Sequence, residues 1–323
     1  MREKDNCEPF YKEGEFMKTE ESVEIKSYLD WALKGRSAWW LYLIGLVIFQ
    51  LILGTGSTFF GFLLIILVPS LASGSVVGSV AMTTLPFLPA FLAIPFFTWL
   101  LHKRPWWSVA LPKLKLDGWK IGIGFLFGVL INLVLYIALG LFAGSQISFV
   151  PPDFSTYLPL LIVGLITIFI QVTAEELLYR GYTMQFLRRL TVNPALIIGI
   201  SGLAFAAIHI GNVALNGWPK YGILLYLFDG LVYGWLAWRS RSLWMPIGFH
   251  WANNFALVVL IGEKGSTDVL QGSPLILVDK IPSFSIVLIS AGVLYLVVVS
   301  IINWLITHRE KNAAIQQVSL ESD

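Results

Sequence analysis

The chain has 323 residues, of which 56% are hydrophobic and only 13% charged, with a formal net charge of +2. That balance excludes a soluble globular domain and points to an integral membrane protein. So small a net charge, with no basic patch interleaved with aromatic residues, also excludes nucleic-acid binding.

The first 36 residues hold nine acidic and seven basic residues and few apolar ones. They read as a polar cytoplasmic tail, because a cleavable signal peptide needs a basic start followed directly by an apolar run. Cys7, the single cysteine, leaves no intramolecular disulfide and no cysteine-based metal site.

Eight apolar runs follow, at 37–68, 80–101, 119–143, 158–190, 194–211, 221–238, 242–261 and 284–307. Their lengths suit spanning helices, and the alternation over about ten residues that marks a β-barrel strand is missing. The predicted fold is all-α, a polytopic membrane helix bundle of eight transmembrane helices. GTGS at 54–57 could split the first run into two short spans, but charge argues against it. With eight spans and both termini cytoplasmic, 19 of the 22 Lys and Arg residues lie inside, and only Lys220, Lys264 and Lys280 lie outside. A ninth span would scramble that asymmetry. KRPWW at 103–107 and the Trp39–Trp40 pair add interfacial anchors. Without internal repeats or linkers, 37–308 reads as one transmembrane helical domain in the cell membrane, and 309–323 as a short cytoplasmic tail.

The fourth run ends in QVTAEELLYRGY, residues 171–182, two adjacent glutamates and an arginine in an otherwise uncharged neighbourhood. On a helix, Glu176 and Arg180 fall within about 40° of each other and can pair. Glu175, about 140° from Arg180, shares a stripe with Gln171 and Tyr179 and is free to face a cavity. A charge at the bilayer centre costs about 2.5–3.5 kcal/mol, so an unpaired one points to function. A buried Glu–Arg clamp between helices is the plain structural alternative.

Two of the four histidines, His209 and His250, also lie within apolar runs, whereas His102 and His308 sit at span ends. In an antiparallel hairpin turning near Val192, Glu175 and His209 stand level, roughly 25 Å from the turn. His250 and Asn254 are four apart and share a helix face, while Asn253 points elsewhere and reads as a packing or turn-facing group. Interhelical hydrogen bonding is their bland reading.

Glu175, His209, His250 and Asn254 supply what peptide hydrolysis requires. A carboxylate held away from water is suited to take a proton from a water molecule and pass it to the leaving amine. One histidine can share that water; the other, with the asparagine amide, can donate to a developing oxyanion. Alternatively Glu175, His209 and His250 match the ligand set of a catalytic zinc site. Spacing leaves both open. The HExxH helix, the Gly-x-Ser-x-Gly elbow, the P-loop and the dinucleotide glycine fingerprint are all absent.

EELLYR, FAAIH and HWANN resemble the EExxxR, FxxxH and HxxxN motifs of the CAAX-protease and bacteriocin-processing family, CPBP or ABI, whose eukaryotic branch is the type II CAAX prenyl endopeptidase. The resemblance covers 119–261, with all three motifs in order on the fourth, fifth and seventh runs. It implies an intramembrane endopeptidase open to the cytosol and acting on a membrane-associated peptide or protein. Glu175 with His209 would activate water, Glu176 and Arg180 would support them, and His250 with Asn254 would form the oxyanion side. Members have been described both as metal-dependent, with a divalent ion such as zinc, and as metal-free. Competing classes are a non-catalytic scaffold or bacteriocin self-immunity protein, and a proton-coupled transporter.

Overall fold

The computed structural model describes residues 24–215, 217–263, 275–279 and 283–321. Residues 1–23, with Cys7, and the loop cations Lys264 and Lys280 lie outside the described residues.

Where water cannot satisfy backbone donors and acceptors, apolar runs must bond internally, and they form helices. In chain order these are α1 (Trp39–Leu67), α2 (Val76–His102), α3 (Gly118–Ala143), α4 (Phe154–Leu190), α5 (Pro194–Ile208), a short α6 (Ile210–Leu215), α7 (Lys220–Ser240), α8 (Trp244–Phe255) and α9 (Phe284–Glu321). Among the described residues α1, α2, α3, α4, α7 and α9 are long and apolar enough to cross a membrane. α5 and α8 are shorter, although each lies within one of the eight predicted runs. The molecule is an all-α polytopic membrane bundle. Polar caps set the ends: the Asn193 side chain accepts from Ala195 N at 2.9 Å ahead of α5, with Pro194 at its first position.

The first run is a single span, as charge argued, and two other segments depart from the sequence reading. α1 is one continuous helix, and the GTGS region is a widened π turn, Ile52–Gly56, within it. The supposed tail is packed from Tyr28 onward, where a 3-10 turn, Tyr28–Leu33, buries Tyr28, Leu29 and Ala32. Acidic composition hid these apolar residues. Ser27 and Asp30 close the turn with a reciprocal cap. The last helix continues past 308 to Glu321, since REKNAAIQQ contains no Gly or Pro to stop it.

A small sheet, also unexpected, joins β1 (Gln146–Phe149), β2 (Ile261–Glu263) and β3 (Ile276–Asp279) in the order β1-β3-β2. β1 runs antiparallel to β3, with Ile147 opposite Val278, and β2 runs parallel to it. It ties the loop after α3 to the segment after α8, at the end of the bundle opposite the α7–α8 turn.

Small residues bring α8 against α3. A Cβ at Gly128 would collide with the Phe249 carbonyl and stand 2.8 Å from Ala252 Cβ, so only glycine permits this approach. Asn132 Nδ2 donates to Asn253 Oδ1 at 2.7 Å, and Asn253 Nδ2 to the Tyr233 hydroxyl at 3.1 Å, which pins α8 between α3 and α7. Asn253 is thus a packing group, as its helix position suggested. Gly128→Leu is expected to lower stability by about 1–3 kcal/mol through overpacking. Gly122→Leu, with nothing within 4 Å of its Cβ position, should leave it unchanged. Thermal unfolding of the purified chain in detergent distinguishes the two.

Candidate active site

The site lies where α4, α5, α7 and α8 meet. α4 is α-helical through Glu176 and then widens into a π segment, Leu177–Thr183, immediately after the glutamate pair. Such segments change the direction of the side chains that follow and recur at functional sites. Ser201 Oγ of α5 donates to the Tyr179 carbonyl inside it at 2.8 Å, taking up backbone capacity the π segment leaves open.

The two glutamates have different surroundings, as the helical phase predicted. Glu176 and Arg180 form a fully buried pair, Nη1 to Oε1 at 2.8 Å. Arg180 Nη2 also donates to the Gly230 carbonyl at 3.3 Å. Its guanidinium lies 4.2 Å from the Phe205 ring centre and 5.1 Å from that of Tyr233. Two aromatic faces, a carboxylate and a carbonyl thus replace water around the cation. Glu175 is 4% exposed and receives the Gln171 amide at 3.3 Å, along the predicted stripe.

His250 joins the two carboxylates. Its Nδ1 is 2.9 Å from Glu176 Oε1, and its Nε2 is 3.7 Å from Glu175 Oε2. A carboxylate oxygen accepts, so Nδ1 carries a proton. Both ring nitrogens of His250 face carboxylates, so as placed the ring has no nitrogen left over for an oxyanion. Tyr233 stacks on the ring at 4.7 Å and fixes its plane.

His209 follows the last residue of α5, at the break before α6. Its Nδ1 is 2.8 Å from the Phe205 carbonyl, which can only accept. Nδ1 is therefore the protonated nitrogen, and in the neutral ring Nε2 presents its lone pair. Tyr226 stacks on it at 4.4 Å. Phe205 lies between the histidines, 4.5 Å from His209 and 5.9 Å from His250. Asn254 is half-buried on α8 and forms no side-chain hydrogen bond among the described residues.

The structure therefore interlocks Glu175, Glu176, Arg180 and His250, places His209 beside them across Phe205, and leaves Asn254 unattached. Among the described residues no three His, Cys, Asp or Glu side chains converge as a metal-binding group.

Sequence reasoning missed the contribution of α7. Tyr226, Asp229, Gly230 and Tyr233 fall on one helix face and all border the site. Asp229 lies within electrostatic reach of His250, His209 and Arg180, and its carboxylate accepts from the Tyr295 hydroxyl of α9. An aspartate in an apolar run was a readable signal of the same kind as Glu175. The aromatic residues carried none.

Residues 157–256, which contain all three motifs, match the family model described as Rce1-like, type II CAAX prenyl endopeptidase. The uncharacterized protein YyaK of Bacillus subtilis (strain 168) is 31% identical over 164 residues, covering 51% of this chain and 55% of that one. The chain thus spans about half the length of the curated relative it matches. No solved structure matches it.

Proposed function

We propose that this multi-pass membrane chain, Rce1-like over residues 157–256, is an intramembrane endopeptidase of the CAAX-protease type that cleaves a membrane-associated peptide or protein in the cell membrane. The observation that carries the reading is the bridging of Glu175 and Glu176 by His250 at the level of His209. In this reading Glu175 and His209 Nε2 hold the attacking water between them. Glu175 takes its proton as oxygen attacks the scissile carbonyl, then returns that proton to the leaving amine.

Glu176 is neutralised by Arg180 and holds His250 through Nδ1. The Asn254 amide, unattached and half-buried, is the donor available to the oxyanion. Glu175 and His250 are 4% and 3% exposed, so substrate enters from the side of His209 and Asn254, which are more open.

The test compares peptide termini in host membranes carrying either the wild type or Glu175→Gln at matched abundance. Termini present only with the wild type are expected, and they would also disclose whether the substrate is prenylated. Identical termini, with the variant folded and the wild type showing its phenotype, would overturn the protease reading in favour of a scaffold or transporter.

A further inference from the structure

At the level where α3 and α8 begin and α7 and the apolar part of α9 end, five cations surround an open cavity of about 310 Å³. Lys26 comes from the N-terminal segment, Lys120 from α3, Arg239 and Arg241 from the α7–α8 turn and Arg309 from α9. They are drawn from four separate parts of the chain, so the cluster is a product of the fold.

The neighbouring carboxylates do not balance it. Glu310 takes Arg239 in a two-pronged contact at 2.9 and 3.1 Å, which neutralises that pair. Asp117 lies 3.5 Å from Lys120 Nζ while also capping α3. Glu24, outside the cavity, pairs with Lys26 at 3.0 Å on an exposed surface. Arg309 is held over the Trp119 ring at 4.4 Å, a contact that orients the guanidinium without cancelling its charge. Asp30, which accepts from the Lys26 and Ser27 backbone N–H groups at 2.9 and 2.7 Å, adds a fourth carboxylate at the rim. Five positive charges against four negative leave the surroundings of the cavity net positive.

A second observation places the cavity at a lipid surface. The loop entering α3 exposes Leu114 and Leu116, at 58% and 67%, next to Lys113 and Lys115. Trp244 Nε1 pins this loop to the start of α8 by donating to the Lys115 carbonyl at 2.8 Å. Exposed leucines alternating with lysines suit a membrane boundary, where the leucines enter the acyl region and the ammonium groups reach phosphates. Basic pockets between transmembrane helices at that depth bind anionic headgroups.

We propose that this cavity binds the phosphate of an anionic phospholipid headgroup, with Lys120 and Arg309 as its principal contacts and Lys26 at its rim. The bound lipid would join α3, the α7–α8 turn and α9, and so fix the entry of α8, which carries His250 and Asn254.

The test purifies the full chain from vesicles containing equal phosphatidylglycerol and phosphatidylcholine, then measures the retained lipids by mass spectrometry. Wild type is expected to retain phosphatidylglycerol preferentially. Each of Lys120→Gln and Arg309→Gln should lower the preference about fivefold, and Arg309→Lys should keep it. Lys26→Gln, exposed and safe for folding, should lower it by itself, so the test survives if a cavity variant is unstable. Equal retention of both lipids by the wild type, or an unchanged preference in the variants, would overturn the proposal. Inorganic phosphate in millimolar excess is expected not to displace the lipid; displacement would assign the cavity to a soluble phosphate instead.

Discussion

Replacing Arg180 by methionine is expected to cost about 3–5 kcal/mol of stability, read as a lower unfolding temperature and aggregation of the purified chain in detergent. Both side chains of the Arg180–Glu176 pair are wholly buried. Without the guanidinium, Glu176 keeps only His250 as a partner, and the Gly230 carbonyl loses a donor. The penalty comes from the charge left behind, more than from the worth of the pair. The Glu176→Gln, Arg180→Met double variant should therefore recover most of the loss, since it removes both charges. Arg180→Lys should recover little, because an ammonium cannot serve the carboxylate and the carbonyl while lying flat between Phe205 and Tyr233. A wild-type unfolding temperature in Arg180→Met would mean that the pair carries no structural role.

The parts of this site that were legible in the sequence were those whose placement is expensive. Glu175, Glu176, Arg180, His209 and His250 stood out because hydrocarbon penalises them, and helix phase alone separated the surroundings of the adjacent glutamates. The helices were legible for the same reason, each uncharged run having no other way to satisfy its backbone. What escaped was cheap to place or depended on tertiary contact. Tyr226 and Tyr233 stack on the two histidines, yet tyrosine in a membrane run is commonplace. The π segment after Glu176 leaves no mark in residue type. Nor did the docking of Tyr28: its hydroxyl donates to the Arg180 carbonyl at 2.8 Å and its own carbonyl accepts from Gln185 at 2.8 Å. Those partners lie some 150 residues away, and the surrounding acidic residues made the segment look solvated.

Glu175→Gln and His209→Gln are each expected to lower turnover by about 10²–10⁴-fold, with unfolding temperatures near the wild type. The informative quantity is their combination. If Glu175 and His209 Nε2 activate one water, either substitution leaves that water unpolarised, and the second has little further to remove. The double variant should then be no slower than about threefold below the poorer single one. Residual cleavage would come from substrate positioning and from oxyanion donors such as Asn254, which neither substitution touches. The singles and the double are measured on one substrate, found from the terminus comparison and reconstituted with purified enzyme in vesicles. Losses that multiply would show two groups acting in separate steps and would sink the shared-water arrangement. Glutamine keeps the volume of each side chain and a donor and acceptor at its tip. For His209 the amide can still reach the Phe205 carbonyl that holds the ring's Nδ1, so loss of activity in a folded chain reports on the lone pair that holds the water.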